Sequence, residues 1–211
     1  MIGALIAREV RRGIAGAAWL PIAFFLLVAT VVPFAVGPDA ALLRRLAPGA
    51  LWTAALLAAL MPIDRLVEPD RADGVLDQLA VRGVSGEEVA FAKIAGHWLT
   101  FGPLLLLAAL PAAALLRLDG QALAGTLLPL GVGTVGLAAL AVAVASLTAG
   151  LRGSAALGGL LLLPLAVPLL IFGAAAANGE DGALKLEAAI TLFLLAGAPF
   201  VAGAALRALR T

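Results

Sequence analysis

The sequence predicts an all-α membrane protein of six transmembrane helices, and three observations carry that prediction. Hydrophobic residues make up 63% of the chain and charged residues 13%, with a mean hydropathy of +1.11; a soluble domain carries about 25% charged residues. The apolar residues gather into six runs: Ala17–Val36, Leu46–Ile63, Ile94–Leu116, Leu123–Ala149, Ala155–Ala177 and Ala188–Leu206. None of the runs alternates as a barrel strand must, so each has to satisfy its backbone within itself, as a helix. Crossing roughly 30 Å of hydrocarbon takes about 20 residues. Six spans therefore use up the 211 residues, and residues 1–211 read as a single transmembrane domain.

Before the first run, Ile2, Leu5, Ile6 and Val10 share one face of a short helix over Met1–Arg12, with arginines elsewhere. Such a segment lies in the membrane interface. Arg8, Arg11 and Arg12 ahead of an apolar run also resemble a secretory signal, but Ala17–Val36 exceeds the roughly 7–15 residues of a signal core. Lys and Arg in the connections set the orientation. With the N-terminus inside, Arg8, Arg11, Arg12, Arg65, Arg71, Arg82, Lys93, Arg152, Arg207 and Arg210 face the cytoplasm, against Arg44, Arg45, Arg117 and Lys185 outside. Both termini are expected in the cytoplasm of a multi-pass protein of the bacterial inner (plasma) membrane.

The connection Asp64–Lys93 is the longest and holds seven of the 13 acidic residues: Asp64, Glu68, Asp70, Asp73, Asp77, Glu87 and Glu88. Val75, Leu76, Leu79 and Ala80 recur at helical spacing, and Gly83 breaks that helix. Ser85 with Glu88 three residues on forms a capping box that opens a second helix, which runs into the third span. The segment reads as an amphipathic helix–turn–helix elbow. Its acidic character disfavours contact with an anionic leaflet and favours a protein partner.

Composition closes off several functions. The chain has no Cys and one His, so it offers no disulfide, thiolate metal site or paired-His haem site, and no metal site is expected. A net charge of +1 gives no basic surface for nucleic acid. Gly131-Val-Gly-Thr-Val-Gly136 matches the letters of a dinucleotide fingerprint but sits inside a span, without a preceding strand or a following acid. Close helix packing explains it, as it does Gly158–Gly159. Neither Lys93 nor Lys185 follows a glycine, so the chain has no P-loop; any ATP is hydrolysed elsewhere, and the chain reads as a non-catalytic subunit. No charged residue falls well inside a run, which argues against ion-coupled transport. His97 and Trp98 lie near the cytoplasmic interface, where they read as an anchor or an interhelical bond before a haem contact. Pro164 and Pro168 each remove a helical hydrogen bond and mark a candidate hinge in the fifth span.

An acidic elbow between spans two and three, followed by a capped helix ending in Lys, resembles the coupling helix of ABC-2 (type V exporter-like) permeases. The segments Val36–Trp52, Ala92–Leu99 and Leu163–Gly173 narrow the resemblance to the haem exporter protein B family (CcmB), the permease subunit of system I cytochrome c maturation. The resemblance implies a P-loop ABC ATPase partner, two copies with two. It further implies a haem-handling membrane protein, a small single-span helper and a periplasmic haem chaperone, all in contact with membrane lipid. It places ATP and Mg on the partner, with haem handled by the complex and no cofactor bound by this chain. The permease would couple ATP hydrolysis to haem export or to release of the loaded chaperone. Glu68, Asp70, Asp73, Gly74, Leu76, Asp77, Leu79, Ser85, Glu88 and Lys93 are the expected ATPase-facing residues. Two other readings stand beside this one: a generic ABC-2 permease for another hydrophobic or anionic substrate, and a non-transporting scaffold for haem-handling proteins.

Overall fold

The computed structural model describes residues 1–15 and 19–210, and every regular element among them is a helix. In chain order these are α1 (Ile2–Ala15), α2 (Trp19–Val36), α3 (Ala40–Leu60), α4 (Ile63–Leu66), α5 (Glu68–Ala72) and α6 (Val75–Val81). The four long helices α7 (Gly86–Leu115), α8 (Gly120–Thr148), α9 (Ser154–Ala177) and α10 (Ala183–Ala208) follow. Residues 17 and 18, with which the first apolar run was expected to open, lie outside the described residues. Five helices, α2 and α7–α10, are each long and apolar enough to cross a membrane; α3 makes a sixth when taken with the α4–α5 segment, to which it is bent by 44°.

Helix starts follow local chemistry that hydropathy overlooks. Asp39 accepts the N–H groups of Ala41 at 2.9 Å and Leu42 at 3.0 Å, so α3 begins six residues before the apolar run and carries Arg44 and Arg45 in its first turns. The Ser85–Glu88 capping box forms as expected: the Glu88 N–H donates to Ser85 Oγ at 3.1 Å and the Ser85 N–H to Glu88 Oε2 at 2.9 Å. Asp119 caps α8 through the Ala122 N–H at 2.9 Å. Gly182, at φ 78°, turns the chain into α10 at Ala183, five residues before the expected span. That early start corrects the expectation that no charge lies within a span, because Glu187 falls inside α10 and is fully buried.

α8 is the central helix, packed against α7, α9 and α10 and touching α3. The glycine fingerprint on it is a packing surface. A Cβ at Gly133 would collide with the Trp52 ring and lie 2.6 Å from Glu187 Oε1; at Gly136 it would lie 3.0 Å from Thr191 Oγ1. Gly173 on α9 makes room for the same indole. A Cβ on Gly158 would lie 2.6 Å from Ile63 Cγ2, whereas Gly159 faces open space and has no packing role. α7 and α10 cross with their backbones nearly touching at Gly86 and Gly203, where a Cβ on Gly86 would lie 2.5 Å from the Gly203 carbonyl oxygen.

Both chain ends meet the elbow at one end of the bundle. Arg8 on α1 reaches Asp70, Arg207 on α10 pairs with Glu87, and the Gly150 N–H in the α8–α9 turn donates to Glu68 at 2.7 Å.

Candidate functional site

The elbow between α3 and α7 is three short helices rather than one helix and a turn. Pro62 ends the α3 segment; Glu68–Pro69 opens α5, where a proline in the first turn costs no hydrogen bond. Gly74, at φ 69°, redirects the chain into α6. Leu76 is buried against the core, so α6 is anchored along one side and free along the other.

Asp70 is the hub of the elbow. It is 1% exposed and accepts from Arg8 Nη2 at 2.5 Å and Nη1 at 3.3 Å, from Arg12 Nη1, and from Lys93 Nζ. Lys93 also donates to the Leu66 carbonyl at 2.8 Å and to Glu9 Oε2 at 3.2 Å, which occupies all three of its N–H groups. Glu9 in turn accepts from Arg8 Nη1 at 2.6 Å. Three cations and two carboxylates from α1, α5 and α7 thus form one network. Close approach of α1 to α7 makes it possible: Gly96 faces Glu9, and a Cβ on Gly13 would lie 2.8 Å from Thr100 Cγ2.

The electrostatics follow from those partners. Burial by itself raises Asp70, but the Arg8 hydrogen bond and the Lys93 charge outweigh it and hold the carboxyl well below the usual range. Glu68 is lowered chiefly by its hydrogen bonds from Arg71, at 2.6–3.1 Å; burial opposes them, and the Gly150 N–H adds to the lowering. Breaking one side of a buried, hydrogen-bonded ion pair typically costs about 3–5 kcal/mol. The elbow is therefore fastened to α1 and α7 at Asp70, and the Gly150 N–H tethers it to the α8–α9 turn at Glu68.

The residues expected to face a partner divide into two groups. Asp70, Lys93 and Leu76 are buried, and Glu68, although half-exposed, is engaged by Arg71 and Gly150; these four hold the elbow in place. Ser85 and Glu88 satisfy each other at the cap. Asp73 and Gly74 lie in the turn before α6, exposed and half-exposed; Asp77 is half-exposed on the outward side of α6, where Val81 is 89% exposed, and Leu79 packs against the core beside Leu76. Arg8, Glu9 and Arg12 were not foreseen as members of this site. The signal for them was the i, i+4 spacing of Arg8 and Arg12 together with a lone cation, Lys93, on an otherwise apolar helix face.

The remaining candidates are dispersed. His97 lies buried within α7, four residues beyond Lys93 and stacked on Phe101 with ring centroids 5.5 Å apart, and its Nε2 has no partner among the described residues. Trp98 makes the interhelical bond, donating from Nε1 to Thr134 Oγ1 on α8 at 3.3 Å. Pro164 and Pro168 both sit on the exposed side of α9, which runs unbroken from Ser154 to Ala177. No group of three or more acidic, His or Cys side chains suited to a metal occurs among the described residues.

Comparison with known proteins agrees across the chain. The family model described as CcmB protein matches residues 1–209. Heme exporter protein B of Paracoccus denitrificans is 45% identical, covering 97% of each chain, and that of Rhodobacter capsulatus is 42% identical, again covering 97% of each. Heme exporter protein B of Escherichia coli K12 is 40% identical over 89% of this chain and 88% of its own.

Proposed function

We propose that this chain, which belongs to the CcmB family, is the permease subunit of a haem-exporting ABC complex that serves cytochrome c maturation. Family membership and the set of apolar helices make it a multi-pass membrane protein. The relatives' shared name, heme exporter protein B, supports haem as the group handled by the complex. ATP would be hydrolysed, with Mg, on a separate P-loop subunit, two copies of which would pair with two of this chain; this chain supplies the receiving surface and no catalytic group. A haem-handling membrane protein, a single-span helper and a periplasmic chaperone complete the proposed complex.

The observation that carries the coupling role is the Asp70 network. It joins an outward-facing helix, α6, through α5 to both α1 and the long helix α7. A push on Asp73, Asp77 or Val81 would reach the membrane through salt bridges rather than be absorbed by a loose loop. The gathering of the elbow, both termini and the α8–α9 turn at one end supports a cytoplasmic placement of that end, because ten of the 14 Lys and Arg residues belong to those segments. Export of haem or release of the loaded chaperone would follow from movement of α7 against α8.

Deleting the gene for this protein should abolish haem-staining c-type cytochromes, and the wild-type chain should restore them. A charge-reversed D73K/D77K chain should not, although it inserts normally. Unchanged cytochrome c in the deletion would favour the generic exporter. Normal maturation without any ATPase partner would favour the scaffold.

A further inference from the structure

Beside the Asp70 network lies a cavity of about 450 Å³, enclosed by α1, the start of α2, the Met61–Pro69 segment and α7. That volume falls within the roughly 300–1,000 Å³ typical of ligand sites. Its walls are of two kinds. Arg12, Arg65, Lys93 and His97, with Glu9, are polar lining residues; Leu20, Pro21, Met61 and Phe101 are apolar ones. Among the described residues the carboxylates paired with Arg8, Arg12 and Lys93 are Glu9 and Asp70, three cations against two anions, so the network beside the cavity keeps one net positive charge.

Donors remain for a ligand. Among the described residues Arg12 makes one side-chain hydrogen bond, from Nη1 to Asp70, which leaves four of the five guanidinium N–H groups. His97 is 7% exposed, and its Nε2 has no partner among the described residues. A buried polar atom without a partner is costly unless something satisfies it. An anion with several acceptor oxygens suits these groups, since a guanidinium fork matches phosphate geometry.

The apolar half specifies what the anion is attached to. Amphipathic α1 belongs at the level of lipid head groups. Leu20, at the cavity wall, shares a face of α2 with Leu27 and Phe34, which are 58% and 84% exposed. A head group in the cavity can therefore continue into an acyl chain along α2. We infer that this cavity binds the phosphodiester head group of an anionic phospholipid, held by Arg12 and His97 with its chains against the outer face of α2. The site does not depend on the coupling role of the elbow.

Native mass spectrometry of the full chain in nanodiscs of equal parts phosphatidylglycerol and phosphatidylcholine tests this. The wild type should retain one phosphatidylglycerol with at least a five-fold preference over phosphatidylcholine. Arg12→Gln should reduce retention at least five-fold, leaving Arg8 and Lys93 on Asp70. Met61→Trp, which fills the cavity without altering charge, should do the same. No preference in the wild type overturns the inference without reference to any variant, as does retention unaffected by both changes in folded protein. Inorganic phosphate that binds the detergent-solubilised chain, and competes the lipid off at millimolar concentration, would assign the site to a soluble anion. Haem retained there in place of lipid, and lost in Met61→Trp, would likewise overturn the lipid assignment.

Discussion

Asp70 decides more about this chain than any other single side chain. It is buried among three cations, and neutralising it would leave Lys93, which is equally buried, under-compensated, with Glu9 as its remaining carboxylate. Asp70→Asn should therefore destabilise the folded chain by about 3–5 kcal/mol, read as a fall in Tm in mild detergent. Adding Lys93→Met should recover part of that loss, because the under-compensated charge goes with it. The pH dependence has a defined sign. Asp70 is held below its unfolded value of about 3.9, so its contribution is complete above that pH and is lost as pH falls through the lower folded value. The gap in Tm between wild type and Asp70→Asn should be full at neutral pH and shrink below about pH 4; a gap that stays constant would show that the charge of Asp70 does not matter. At the opposite extreme of chemistry, Gly133 matters for what it lacks. Gly133→Ala should cost about 1–3 kcal/mol by forcing the Trp52 indole out of its slot, and Trp52→Leu should relieve it. Failure of that rescue would mean Glu187, the other neighbour of Gly133, is the obstacle.

α1 and α6 are the two elements whose roles reach beyond packing. α1 has no fully buried residue, yet it supplies Arg8, Glu9 and Arg12 to the elbow network. Removing residues 2–15 should therefore loosen the elbow, exposing the α5–α6 backbone to faster hydrogen exchange while leaving α8 protected. Unaltered exchange in α5 would show that α1 is only an interfacial tail. α6 is fixed by Leu76 on one side and open at Asp77 and Val81 on the other, with Asp73 exposed in the turn before it. Changes on its open side should disturb partner binding with little effect on stability, whereas Leu76→Ala should cost about 2–5 kcal/mol.

The bundle as a whole was legible in hydropathy, since six apolar runs reappear as α2, α3 and α7–α10. The capping box at Ser85 was legible too, because it is written within four consecutive residues. What escaped was of two kinds. Asp39 and Gly182 move helix starts outward by local backbone chemistry that an average over apolar residues smooths away, and Glu187 was placed in a loop as a result. The Asp70 network joins residues 58 and 62 positions apart, and no local pattern announces which distant arginine will meet which carboxylate. The elbow was therefore recognised as a surface before half of its acidic and basic members proved to be its fastening. The most direct test of the coupling role is affinity purification of the tagged chain from native membranes, wild type beside D73K/D77K, with quantitative mass spectrometry of retained P-loop ATPase. The wild type should retain the ATPase and the charge-reversed chain should lose at least nine-tenths of it while keeping its Tm. Equal retention by both folded chains would contradict a partner seated on α6.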